Sequence, residues 1–173
     1  MKKLNRKGFT LIELLAVIVI MAIILIVTVP NIIQSISDAR VSSLHNLAVS
    51  AANTYNTAYA QDLLATSDDK KVLGKMPNSI NNAWQCIGDI TTTGKTLASV
   101  LGLTEKDVVL TANDQEVPRE PFADNITSDF CSAIKINDTG KVEIILVAAV
   151  GGKFDVAGKV VYAYSEASAA VVK

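Results

Sequence analysis

The stretch that decides the fold lies at the start of the chain, where residues 8–30 read GFTLIELLAVIVIMAIILIVTVP. Glu13 is its only charged residue, and an apolar run extends from Leu14 to Val29. At about 1.5 Å per residue, a helix over residues 9–30 is about 33 Å long, which is enough to cross the hydrocarbon core of a bilayer. The sequence therefore predicts an N-terminal helix that spans a membrane.

A short basic leader precedes this apolar segment. It contains Lys2, Lys3, Arg6 and Lys7 and no acidic residue. Basic flanks stay on the cytoplasmic side of a membrane, so the remaining chain is expected on the far side. A secretory signal has small residues after its apolar stretch, whereas here Gly8 stands before it. We therefore expect processing to occur at Gly8.

Glu13 places a carboxylate inside a segment otherwise suited to a membrane. A charge at the centre of a membrane helix costs at least about 2.5 kcal/mol. Such a residue indicates a partner outside this chain, and a positive charge on a neighbouring copy is the simplest candidate. The sequence thus favours a subunit of an assembly over a solitary protein.

The segment Gly8-Phe9-Thr10-Leu11-Ile12-Glu13, between the basic leader and an apolar helix containing Pro30, closely resembles the class III signal peptide of type IV pilins. The resemblance implies that prepilin peptidase cuts between Gly8 and Phe9 and that the new amino group of Phe9 is methylated. It also implies that Glu13, the fifth mature residue, neutralises the Phe9 amine of an adjacent subunit during assembly. Both charges are costly to bury unless they meet.

Pro30 is a further residue of the expected assembly helix. It lacks a backbone donor and crowds the carbonyl of Ile26, so a kink is expected there. The resembling family often has glycine at the position of Ala22, which is a strong helix former. Whether the helix unwinds between Ala22 and Pro30 in a fibre stays open.

The chain divides into four predicted parts: a cleaved leader at 1–8, a hydrophobic assembly helix at 9–30, an amphipathic continuation at 31–61, and a globular head at 62–173. Apolar side chains spaced for one helix face define the continuation. They are Ile33, Ile36, Leu44, Leu47, Ala51, Tyr55 and Ala58. Asp38 and Arg40 are interpreted as solvated surface charges, with pairing between subunits as the alternative.

The last third of the chain has the period of β-strands. Strands are predicted at Phe130–Asn137, Lys141–Val150 and Lys159–Ser165, with a turn at Asp138–Gly140. A short helix is predicted within Lys95–Leu103. The predicted fold class is α+β, with a long N-terminal helix packed on an antiparallel sheet. The pilin resemblance implies the same fold.

Two cysteines, Cys86 and Cys131, lie in the part expected outside the cytoplasm, where disulfides persist. A bridge between them would close a loop of about 45 residues. Many Gram-negative pilins carry a pair that brackets a C-terminal loop, and Cys131 lies too far upstream for that placement. A disulfide is slightly favoured over two separate buried thiols.

No stretch of the sequence supports catalysis, a cofactor or a metal. His45 is the only histidine, so a metal centre or catalytic triad that needs two is hard to build. Asp124, Asn125 and Asp129 match no calcium loop. Without the leader, the chain has 12 Lys and Arg and 17 Asp and Glu. The resulting net side-chain charge of −5 argues against nucleic-acid binding. The chain is predicted to be no enzyme.

The sequence therefore favours the major subunit of a type IV pilus. Its expected partners are further copies in a helical filament, the cytoplasmic membrane before assembly, prepilin peptidase and the pilus assembly machinery. The filament would serve adhesion, motility or biofilm formation, with its ligands unknown. One alternative is a pseudopilin of a type II secretion or competence system, and another is a signal-anchored extracytoplasmic binding domain that never polymerises.

Overall fold

A computed structural model describes residues 9–74, 80–92, 94–111, 117–118 and 130–172. Asp124, Asn125 and Asp129, which were considered for a calcium site, lie outside these ranges. The chain separates into two compact units, Met1–Asp38 and Ala39–Lys173.

Helix α1 runs from Leu11 to Leu64 and contributes to both units. It continues through Pro30, and the bend expected at that residue stays a prediction. The described part of the first unit has no buried residue, whereas the second unit contains all the buried positions of α1. These positions recur every three or four residues, as one helix face requires, and are Leu44, Ala48, Ala51, Ala52, Tyr55 and Ala58.

Ile33 and Ile36, the first two residues of the predicted apolar face, lie outside the buried part of α1. Both side chains are about half exposed or more, and the buried face of α1 begins at Leu44. The spacing of apolar residues continues across this point, so periodicity alone could not locate where the covering sheet begins.

The second unit contains a five-stranded antiparallel sheet with the strands in chain order. The strands are β1 at Gln85–Cys86, β2 at Ala133–Ile136, β3 at Val142–Val147, β4 at Val161–Tyr164 and β5 at Val171–Val172. A four-residue helix, α2, spans Leu97–Val100, and single 3₁₀ turns occupy Asp68–Lys70 and Ile87–Asp89. The fold class is α+β, with one long helix and an antiparallel sheet.

The alternation of side chains along the sheet builds two cores. On one face, Ile144 and Leu146 of β3 join Ala163 of β4 in the core that includes Leu44 and Tyr55 of α1. On the other face, a smaller core is formed by Phe130, Ile145, Val147 and Tyr162. Every residue of β3 is buried, as expected for a central strand that is covered on both sides.

The three predicted strands form at the predicted places, each shorter than its apolar run. β2 and β3 pair with Lys135 opposite Glu143, and the chain turns between them at Asp138–Gly140. The two edge strands, β1 and β5, were not predicted because two residues are too short to establish a period.

Cys86 and Cys131 form a disulfide with their Cα atoms 5.6 Å apart. Cys86 belongs to β1, and Cys131 lies two residues before β2 begins. Both residues are buried. The bond therefore fastens a two-residue edge strand to the chain that enters the neighbouring strand.

A carboxylate organises the chain directly after α1. Asp62 accepts hydrogen bonds from the backbone N–H groups of Val72, Leu73 and Gly74 at 2.5, 2.9 and 2.8 Å. These three backbone donors all bond to the Asp62 carboxylate, so they hold residues 72–74 against the last turn of the helix. Leu73 is buried as a result and joins the core on the helix side of the sheet.

Candidate functional site

The start of α1 is closed by a reciprocal pair of hydrogen bonds between Thr10 and Glu13. The Glu13 N–H donates to Thr10 Oγ1 at 3.3 Å, and the Thr10 N–H donates to Glu13 Oε2 at 2.8 Å. The Thr10 hydroxyl also donates to Glu13 Oε2 at 2.8 Å. The Thr10 carbonyl accepts from Leu14 N, which makes Thr10 the N-cap residue. The arrangement is a capping box, which satisfies two backbone donors that the helix leaves free.

The sequence interpretation of Glu13 missed this role. It assigned the carboxylate to a partner on another copy, whereas the structure gives it two donors within its own chain. The signal was present in the sequence, because threonine followed three residues later by glutamate before an apolar run is typical of a helix start. The capping box holds the Glu13 carboxylate against Thr10, the residue directly after Phe9.

Phe9 lies immediately before this cap and is 90% exposed. Gly8 lies outside the described residues, so the Gly8–Phe9 bond is not described. Three residues of the chain separate Phe9 from Glu13. Pro30 lies 17 residues beyond Glu13 within α1, and Cys86 and Cys131 belong to the second unit.

The helix of the first unit presents a continuous apolar surface. Every large apolar side chain from Phe9 to Ile36 is between 44% and 90% exposed. One helix among the described residues is long and apolar enough to cross a membrane, and its most apolar window has a mean hydropathy of 3.1 with no buried part. Such a surface is far larger than a soluble monomer leaves uncovered, so it marks a surface that a membrane or another protein covers.

Two polar side chains in this segment bond to the backbone of the helix itself. Thr28 Oγ1 donates to the Ile24 carbonyl at 2.9 Å, and Asn31 Nδ2 donates to the Val27 carbonyl at 3.3 Å. These donors are satisfied without any contact outside the helix, which lowers the cost of placing them in an apolar environment. The segment can therefore pass through hydrocarbon or pack against other apolar helices.

Comparison with known protein families gives a match at this segment. Residues 3–29 match the model described as the prokaryotic N-terminal methylation motif. This chain carries the N-terminal methylation motif. The motif is the class III signal peptide of type IV pilins and pseudopilin-like proteins, which are structural proteins and substrates of prepilin peptidase. No curated protein and no solved structure matches the chain.

A polar cluster lies on the outer side of the sheet, away from α1. Lys135 Nζ lies 3.1 Å from Glu143 Oε2 and 4.8 Å from the centre of the Trp84 ring. Asn137 Nδ2 donates to Glu143 Oε1 at 3.0 Å. The Trp84 and Tyr164 rings meet edge to face with centroids 6.3 Å apart. The cluster joins β2, β3 and β4 across the face of the sheet that is turned away from α1.

The charges of this cluster are mutually stabilised. Burial raises the pKa of Glu143, but hydrogen bonds from Lys135, Asn137 and Tyr164 outweigh it, so the pKa lies below its ordinary value. Burial and the hydrogen bond to Glu143 raise the pKa of the Tyr164 hydroxyl. A carboxylate held ionised by three donors acts as a structural cross-brace between strands rather than as a proton-transfer group.

The described residues contain no group of three or more His, Cys, Asp or Glu side chains suited to a metal ion. His45 lies on α1 with Nδ1 buried and without a hydrogen-bond partner in the structure. Arg40, interpreted from sequence as a solvated or intersubunit charge, donates from Nη1 to the Asp155 carbonyl at 2.6 Å.

Proposed function

We propose that this chain is a prepilin and the major subunit of a type IV pilus. The apolar helix over residues 9–30 holds the precursor in the cytoplasmic membrane, with the head outside the cytoplasm. After cleavage between Gly8 and Phe9, the same helix becomes the inner packing surface of a helical filament. The observation that carries this proposal is the exposed apolar helix that lies within the methylation motif.

The energetics of the exposed surface support one segment serving both stages. Burying a large aliphatic side chain is worth about 1.5–3 kcal/mol, in lipid or against other helices. The α1 surface from Phe9 to Ile36 therefore favours either environment over water. Extraction from the membrane therefore exchanges one apolar environment for another.

Glu13 supplies the register of the assembly in this proposal. Its carboxylate meets the methylated Phe9 amine of an adjacent copy, and a misplaced copy would bury both charges unpaired. The capping box holds the carboxylate at the first turn, where that amine must arrive. In the precursor, the nitrogen of Phe9 is a neutral amide, so pairing begins only after cleavage.

Mass spectrometry of the N-terminal peptide from material sheared off the cell surface tests this proposal. A peptide that begins at N-methylated Phe9, from an abundant sheared protein, is the expected result. Absence from the sheared fraction, together with a membrane form that still begins at Met1, would overturn the proposal in favour of a signal-anchored domain. A processed protein found only in the cell envelope would favour a pseudopilin.

A further inference from the structure

The polar cluster on the outer side of the sheet holds an amine and a carboxamide on the two oxygens of one carboxylate. Lys135 Nζ lies 3.1 Å from Glu143 Oε2, and Asn137 Nδ2 donates to Glu143 Oε1 at 3.0 Å. The Glu143 side chain is 12% exposed and the Lys135 side chain 22%. A potential nucleophile and a potential electrophile are thus held side by side in a site that is largely closed to water.

The backbone fixes this arrangement. Lys135 lies directly opposite Glu143 in the pairing of β2 with β3. Asn137 continues the ladder beyond β2, since its backbone N–H donates to the Lys141 carbonyl at 2.9 Å. Residues two apart on a strand share a face and lie about 6.6 Å apart, a distance that a lysine side chain can span. Nζ can therefore reach Asn137 Cγ by rotation of the lysine side chain.

The carboxamide of Asn137 is polarised at its oxygen end. Its Oδ1 accepts hydrogen bonds from Thr139 N, Thr139 Oγ1 and Lys141 N at 3.0, 2.6 and 2.9 Å. Both ends of the group therefore have suitable partners, which fixes its orientation. Donors on a carbonyl oxygen withdraw electrons from its carbon and stabilise the negative charge that nucleophilic attack places on the oxygen. Asn137 Cγ is thus prepared for attack by an amine.

Aromatic rings keep the amine at this site. The centre of the Trp84 ring lies 4.8 Å from Lys135 Nζ, and the Trp84 ring meets the Tyr164 ring edge to face. Tyr164 also donates a hydrogen bond to Glu143. These contacts restrict the positions open to Nζ, so the amine stays beside the carboxamide and the entropic cost of bringing the two together is reduced.

We propose that Lys135 and Asn137 form an intramolecular amide bond. Nζ releases one proton to water and attacks Asn137 Cγ, and the negative charge forms on Oδ1. A second proton passes from Nζ to Nδ2 by way of water, the Cγ–Nδ2 bond breaks, and ammonia leaves. The ammonia takes up the first proton, so a lysine ammonium and a carboxamide become an amide and an ammonium ion. Glu143 stays ionised throughout and acts as the positioning residue.

The reaction changes the charge of the cluster and keeps its connection between strands. The positive charge of Lys135 is lost, and the new amide N–H can donate to Glu143 in its place. The lysine side chain becomes fixed to the residue that begins the turn between β2 and β3. This inference concerns the second unit alone and does not depend on the proposed filament.

Tryptic peptide mapping of the purified full-length chain by mass spectrometry tests the bond. Trypsin cuts after an unmodified lysine or arginine, so an unreacted and reduced chain gives peptides 120–135 and 136–141. The linked chain is expected to give one peptide, 120–141, that is uncut at Lys135 and lighter than its sequence mass by one ammonia. Peptides 120–135 and 136–141 at their sequence masses would overturn the proposal.

A succinimide at Asn137 would also lose ammonia, through attack by the backbone nitrogen of Asp138. It leaves Lys135 open to trypsin, so peptide 136–141 would then be lighter by one ammonia and peptide 120–135 would keep its sequence mass. That pattern would overturn the amide bond with Lys135.

Lys135→Arg removes the amine and keeps the positive charge, so the loss of ammonia should disappear. Lys141→Arg is the matched control, because Lys141 is paired with Asn137 in the ladder but its amine contacts Glu166 instead. This control should lose ammonia as the unsubstituted chain does. Equal loss of ammonia in the two variants would overturn the proposal.

Glu143→Gln tests the positioning role. Glutamine has one acceptor oxygen, so it can hold the amine or the carboxamide but not both. Most molecules of this variant should give the unlinked peptides, while the fluorescence of Trp84 shows that the head is folded. A linked fraction equal to that of the unsubstituted chain would contradict the positioning role of Glu143.

Discussion

The Thr10 hydroxyl and the Thr10 backbone N–H both donate to one oxygen of Glu13, each at 2.8 Å. The carboxylate assigned to assembly is thus already a structural element of its own helix. A Glu13 substitution consequently changes two things at once, the helix start and the charge. Substitutions at Thr10 and at Glu13 can separate these two effects.

Thr10→Ala is expected to fray the first turn of α1, because it removes the hydroxyl that caps the Glu13 N–H. Loss of a threonine N-cap costs about 1 kcal/mol. Amide exchange of the Glu13 and Leu14 N–H groups, which donate to Thr10, should accelerate about fivefold when measured by NMR in detergent micelles. Thr10→Ser keeps a hydroxyl at the same place and should retain slow exchange. Equal exchange in the alanine and serine variants would show that the cap does not hold this turn.

Glu13→Gln separates the cap from the charge. Glutamine can replace glutamate in a capping box, so the first turn should keep its slow amide exchange. Filament yield in the sheared fraction should nevertheless fall, because a neutral amide cannot neutralise the Phe9 amine of a neighbouring copy. Glu13→Ala should insert in the membrane and assemble poorly, with a frayed first turn in addition. Normal filament yield from Glu13→Gln would show that the negative charge has no role in assembly.

Removal of the disulfide should destabilise the second unit strongly. The loop-entropy model gives about 4 kcal/mol for a closed loop of this length. The fluorescence of Trp84, the only tryptophan, reports unfolding in denaturant, since Trp84 directly precedes β1. Cys86→Ser/Cys131→Ser should cost about as much as either single substitution, because each breaks the same bond. A double variant as stable as the unsubstituted chain would contradict this role.

Glu143 should make the stability of the head depend on acid pH. Its pKa in the folded state lies below the ordinary value of 4.5, so its ionised form stabilises the fold. This contribution is present above pH 4.5 and is lost as the pH falls through the lower folded-state pKa.

Thermal unfolding between about pH 3 and 7 measures this dependence. Glu143→Gln should reduce the fall in melting temperature that the unsubstituted chain shows below pH 4.5, here called the acid limb. It should also lower the melting temperature near neutral pH. Glu105→Gln is the matched control, since Glu105 is exposed on the surface. Its profile should follow that of the unsubstituted chain. A Glu143→Gln profile with an unchanged acid limb would show that another carboxylate controls it.

The sequence predicted the strands that carry most of the core because their apolar runs are long enough to show a period. β3 is the clearest example, since both of its faces are apolar and both are buried. β1 and β5 were missed because two residues show no period and pair only where a neighbouring strand presents its edge. At the candidate site, the sequence indicated Phe9 and Glu13 through their motif but not the role of Thr10. The polar cluster around Glu143 joins three strands, which no local pattern could bring together.

The amino-acid sequence by itself determined the apolar helix, its basic leader and the single carboxylate, because hydropathy, helical length and charge are local properties of consecutive residues. Only the tertiary structure decided where α1 changes from an exposed surface to a buried face. Ile36 and Leu44 have similar side chains on the same helix, yet Leu44 is buried and Ile36 is not. The difference is made by the sheet, in which β2 to β5 come from residues about 90 or more positions later in the chain than Leu44. Burial depends on which distant residues pack nearby, and the local sequence does not contain that information.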